Sequence, residues 1–157
     1  MNNILIVYYS LFHNTANLAL EIAVQTGGTL RELIPDTNYS FEYNTAAKEL
    51  RDQISRGFCP KLISGNEPID GYETVFIGSP NWFKTLAPPV MSFLRLNDFT
   101  GKTIIPFCTH GGGGFGQIAN DIAKECPKSK ILPGIAVTGT VTSEEVTNWL
   151  KMIEYEL

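Results

Sequence analysis

Ile4-Leu5-Ile6-Val7-Tyr8-Tyr9 is an apolar run that breaks into Ser10-Leu11-Phe12-His13-Asn14-Thr15 and then into a helical pattern from Ala16 to Ala23. A buried strand followed at once by a helix is the opening unit of an α/β sheet. The order also sets hydroxyl and amide side chains at the start of a helix, where the first backbone N–H groups lack intrahelical partners and carry the positive end of the helix dipole. Such a loop suits an anion such as a phosphate ester, and residues 10–15 do so without a lysine or arginine. The plainer alternative is that Ser10, Asn14 and Thr15 only cap the helix, as such residues do in any α/β protein.

The remaining strands carry the same pattern. Thr74-Val75-Phe76-Ile77-Gly78-Ser79 and Thr103-Ile104-Ile105-Pro106-Phe107-Cys108 are near-continuous apolar runs, as expected of parallel strands covered on both faces. Thr29 to Ile34 alternates like a strand stopped by Pro35, after a helix end at Gly27-Gly28. Pro80 to Pro89 reads as a loop, with a helix entered through proline over Val90–Leu94. Gln117–Cys126 reads as a helix, a short strand falls within Ile131–Val137, and a final helix starts at Ser143 with Thr142 and Glu145 at capping-box spacing. Residues 36–73 are the least legible: a helix is expected around Ala46–Ser55 with Leu50 and Ile54 on one face, then an irregular loop from Gly57 to Gly71.

Strands alternating with helices imply β-α-β units and a parallel sheet flanked by helices on both faces. Ligands of such sheets bind beyond the carboxyl ends of the strands. The loops 10–15, 79–89 and 109–116 all follow strands at that edge.

Composition narrows the class. The 157 residues suit one domain, 1–157, able to bury roughly two-thirds of its unfolded surface. A net charge of −4 argues against nucleic acid and anionic membranes as partners, and is compatible with a mildly basic protein partner. Cys59, Cys108 and Cys126 are odd in number and form no C-x-x-C pair, and Met1-Asn2-Asn3 leads straight into a strand, so reduced thiols in a cytoplasmic protein are expected. No apolar run approaches the ~20 residues of a membrane-spanning helix.

The first loop resembles the phosphate-binding loop of the flavodoxin family, with Ser10, Asn14 and Thr15 as the matching residues and the backbone of Leu11 to Ala16 as further donors. The likeness extends along the chain: Ile77-Gly78-Ser79-Pro80-Asn81-Trp82-Phe83 resembles the second flavin loop, and Thr103 to Gly112 the third. It implies a flavodoxin-like three-layer sandwich with a five-stranded parallel sheet of order 2-1-3-4-5, and FMN as cofactor. The implied binding residues are Ser10, Leu11, Phe12, His13, Asn14 and Thr15 around the phosphate, and Pro80, Asn81, Trp82 and Phe83 over one side of the flavin. Thr109, His110, Gly111, Gly112, Gly113 and Gly114 would lie along its polar edge.

Elementary chemistry agrees with that assignment. Trp82, Phe83 or Phe115 can stack on a flat, mostly apolar ring, and the glycine run admits backbone N–H groups close to its polar rim. The alternatives are a surface hydrophobic patch or dimer contact at Trp82-Phe83, and a flexible glycine loop without a ligand. Two residues depart from the family pattern: His13 and Lys84 stand where glycine is usual, His13 bringing a Cβ and an ionisable ring close to the phosphate and Lys84 resisting the positive φ that glycine allows. His110 is either a general acid toward the reduced ring or a histidine that orders its own loop, and no ligand spacing calls for a metal site of His13, Cys108 and His110. Cys108 is expected as a buried small hydrophobe, and Tyr8 and Tyr9 as packing residues.

The resemblance implies an electron-transfer protein served by a reductase and an acceptor protein. An NAD(P)H-dependent quinone or flavin reductase on the same fold is the alternative, as monomer or homodimer. A third possibility is a flavin-free binding module.

Overall fold

A computed structural model describes residues 3–36, 39, 48 and 51–154. Strands β1 (Ile4–Tyr8), β2 (Thr29–Glu32), β5 (Thr74–Trp82), β7 (Thr103–Thr109) and β8 (Lys130–Ile131) lie in the order β2-β1-β5-β7-β8, all parallel. This is the expected 2-1-3-4-5 path. The sheet has seven strands rather than five, because β6 (Thr85–Leu86) folds back antiparallel on β5 and β9 (Ile135–Val137) pairs separately with β7.

The split of the last strand has a local cause. Leu132 N–H donates to the Ile104 carbonyl at 3.0 Å, so alternate residues of β7, among them Pro106, present their backbone to this edge. Pro106 has no N–H to give there. Gly134 fits between because a Cβ there would collide with the Pro106 carbonyl oxygen and the Phe115 ring.

Successive strand residues fill two cores, as a period of two requires. Leu5, Val7, Ile77 and Ile104 pack with helices α2 (Pro88–Leu96) and α3 (Ile118–Glu125) through Val90, Phe93, Ile118 and Ile122. Ile6, Phe76, Ile105 and Phe107 pack with α1 (Asn14–Thr26) and α4 (Ser143–Glu154) through Leu18, Ile22, Val146, Trp149 and Ile153. Helix, sheet and helix thus form three layers. The start of α4 is held as its sequence suggests, by a Glu145 N–H bond to Thr142 Oγ1 at 3.1 Å.

Between β2 and β5 the structure corrects one expectation. Ile34 and Pro35 form β3, which pairs antiparallel with β4 (Leu62–Ser64), so the stretch expected as an irregular loop contains a strand. Of the helix expected over Ala46–Ser55, residues 46, 47, 49 and 50 lie outside the described residues, and 48 and 51–55 are helical.

Candidate functional site

The three loops meet at the carboxyl edge of the strands. In the first, His13 caps α1 in a left-handed conformation, φ 69° and ψ −4°, without a side-chain cap bond, and its carbonyl accepts the Asn17 N–H at 2.9 Å. The first-turn N–H groups of α1 are therefore directed out of the helix with no acidic side chain beside them. Among the described residues the buried Ser10 hydroxyl has no hydrogen-bond partner. Thr15 is buried, while Phe12, His13 and Asn14 are exposed and Leu11 packs against the core.

Residues 80–86 are not the loop expected. β5 runs on through Pro80, Asn81 and Trp82 and turns at Phe83-Lys84 into β6, a two-residue hairpin in which both turn residues have positive φ, 54° and 71°. That is the signature of a type I′ turn, whose twist suits the flanking strands. Lys84 accordingly occupies a conformation that its side chain disfavours, and His13 does so in the first loop. Strain of this kind persists only where surroundings hold it, and it gathers at functional sites. Here Lys84 N–H donates to Asn81 Oδ1 at 2.8 Å and Lys84 O accepts the Gln117 N–H at 2.6 Å. Thr85 Oγ1 donates to Asp121 on α3. At the base of the hairpin the buried Ser79 hydroxyl takes the Ala87 N–H at 2.9 Å.

The aromatic residues divide between core and surface. Trp82 is half-buried and packs edge-on against Tyr9 and Tyr39, with ring centroids 5.5 and 5.4 Å away. Phe83 is 41% exposed, with the Arg51 guanidinium over its ring at 5.1 Å. Phe115 is half-buried against the core. Tyr9 is buried, and burial alone pushes its hydroxyl far above the ordinary range. Tyr8 is partly buried and donates to Glu32 Oε2 at 3.3 Å.

The third loop is tied to both others. Thr109 and Thr15 share a buried hydroxyl–hydroxyl bond of 2.8 Å, and Asn81 Nδ2 donates to the Gly114 carbonyl at 2.8 Å. Gly112 N–H donates to His110 Nδ1 at 2.9 Å, which gives His110 the part of ordering its own loop and leaves Nε2 as its free ring nitrogen. Gly112 and Gly114 have positive φ, 132° and 66°. Gly111 is exposed with open space where a Cβ would project, and Gly113 is exposed beside Asn81. Cys108 is fully buried, and burial pushes its thiol up to about 12. No group of three or more His, Cys, Asp or Glu able to hold a metal is present among the described residues.

The profile of the family described as Flavodoxin matches residues 3–153. This chain belongs to the flavodoxin family. No curated protein matches it. A candidate flavoprotein from Bacteroides uniformis is similar over 96% of this chain and 98% of its own, at 27% identity and a TM-score of 0.87. Another from Bacteroides eggerthii covers 98% and 99%, at 26% identity and a TM-score of 0.88. A flavoprotein from Lactobacillus acidophilus, in complex with FMN, shares the fold at 19% identity and a TM-score of 0.76 over 96% and 99%.

Sequence reasoning missed the ties that join the loops of this flavodoxin-family chain. Asn81, Thr109 and Thr15 were legible as loop residues, but the Asn81–Gly114 and Thr15–Thr109 bonds span 33 and 94 positions and depend on strand register. Gly116, where a Cβ would lie 2.7 Å from Lys84 O, marks a close approach of the second and third loops. A glycine just before a helix was its one visible signal.

Proposed function

We propose that this flavodoxin-family chain holds FMN at the three-loop edge and carries electrons between a reductase and an acceptor protein. The observation that carries the assignment is the Ser10 hydroxyl, buried and without a partner beside the uncapped start of α1. A phosphate ester supplies the acceptor that this hydroxyl and the first-turn N–H groups lack. The donors fit the group with His13 as the only ionisable side chain of residues 10–15.

Bound there, FMN would take up and release electrons one or two at a time; the chain's part is to bind and orient it. Ser10, His13, Asn14 and Thr15, with the backbone from Leu11 to Ala16, hold the phosphate. Pro80, Asn81, Trp82 and Phe83 cover one side of the ring, Trp82 doing so with its edge-on tyrosine neighbours behind it. Thr109 through Gly114 line the polar rim, where exposed glycine backbone leaves room for close approach.

The test is an absorption spectrum after adding FMN and removing the excess by gel filtration, then anaerobic NADPH. Retained flavin bands that NADPH leaves unchanged support the carrier. Rapid bleaching by NADPH alone would make the chain a reductase, and loss of all flavin on the column would overturn the FMN assignment.

A further inference from the structure

The Thr15 and Thr109 hydroxyl oxygens lie 2.8 Å apart, both residues buried, and either atom can be the donor. Two hydroxyls carry two protons, and only one proton fits between them. The second must find another acceptor, since a buried donor left unpaired is costly. Thr15 stands in the first turn of α1, and Thr109 ends β7 at the foot of the glycine run.

The first loop is rich in donors and short of acceptors. The Ser10 hydroxyl already lacks a partner there, and the first turn of α1 receives no side-chain cap bond. An anion in that loop would draw the Thr15 proton toward itself, provided that Thr109 donates to Thr15 Oγ1. In the opposite arrangement Thr15 spends its proton on Thr109 and meets the anion with a lone pair.

We propose that Thr109 is a positioning residue for the phosphate: by donating to Thr15 Oγ1 it aims the Thr15 proton at the anion. Thr109 then belongs functionally with the first loop, although its place in the chain puts it with the ring-edge loop. The inference rests on the FMN assignment.

Dissociation constants for FMN and for riboflavin, which lacks the phosphate, test it by flavin fluorescence on the full chain. Thr109→Val is expected to weaken FMN about tenfold more than it weakens riboflavin, the scale of one charge-assisted hydrogen bond. Thr109→Ser, which keeps the hydroxyl, is expected to restore FMN affinity to within about twofold. In a Thr15→Val background, Thr109→Val should cost FMN no more than it costs riboflavin. Thr109→Ala is the second hydroxyl deletion should the valine variant not fold. Equal losses for FMN and riboflavin would make the bond a mere staple between loops and overturn the inference, as would unchanged FMN affinity. A native chain that binds riboflavin as tightly as FMN would overturn the phosphate site itself, and the inference with it.

Discussion

Asn81 joins two loops through one amide: its Nδ2 donates to the Gly114 carbonyl at 2.8 Å while its Oδ1 accepts the Lys84 N–H at 2.8 Å. Hairpin turn and glycine run are therefore held at a fixed separation by a side chain on the β5 arm of the hairpin. Asn81→Ala removes both bonds and is expected to cost about 1–3 kcal/mol, at roughly 0.5–1.5 kcal/mol each. Urea unfolding checks this, with the midpoint falling and the slope unchanged.

Lys84 sits at φ 71° with its backbone bonded on both sides. Lys84→Gly keeps those bonds and releases the steric cost of a left-handed residue, ~1–2 kcal/mol, against a glycine entropy cost of ~0.5–1 kcal/mol. A net gain of about 0.5–1 kcal/mol is expected, again as a shift in urea midpoint. Lys84→Val should lose stability, because a β-branched side chain fits positive φ worst.

His13 gives the first loop its one ionisable side chain. Replacing it with glutamate brings a negative charge to the positive end of α1, where a phosphate would lie. His13→Glu is expected to weaken FMN binding several-fold, most strongly at low salt, in a fluorescence titration. Unchanged affinity would place the phosphate elsewhere.

Burial raises two thiols above their ordinary 9.0, Cys108 to about 12 and Cys126 to about 11. A group whose folded pKa is raised contributes stability that is fully present below its unfolded pKa and lost as pH climbs toward the folded value. Stability should therefore hold up to about pH 9 and fall between 9 and 12, with Tyr9 adding to the fall above 10. Thermal unfolding across that range checks it. Cys108→Ala should lower the melting temperature at neutral pH but flatten its decline between pH 9 and 10.

Much of this architecture was legible in the chain. The runs at Ile4, Thr74 and Thr103 are continuous because both faces of each strand are covered, and continuous apolar runs are easy to see. The hairpin at residues 80–86 was not legible, since nothing in Phe83-Lys84 advertises positive φ; the bonds to Asn81 and Gln117 impose it from outside the turn. The division of the last strand escaped notice for a similar reason. Pro106 looks harmless within an apolar run, and its missing donor matters only once the register shows which neighbour it faces. At the site, the residue types were readable but not their partnerships: Thr15 and Thr109 meet because β1 and β7 both flank β5.

The interrupted strand also bears on how the molecule meets other copies of itself. A long, flat sheet margin is a template on which a second chain can extend the ladder, and natural proteins blunt such margins with short strands and proline. At the β8/β9 border any visiting strand would find only two- and three-residue stretches separated by Leu132, Pro133 and Gly134. The break that Pro106 helps to impose from within thus also guards this border against runaway sheet growth.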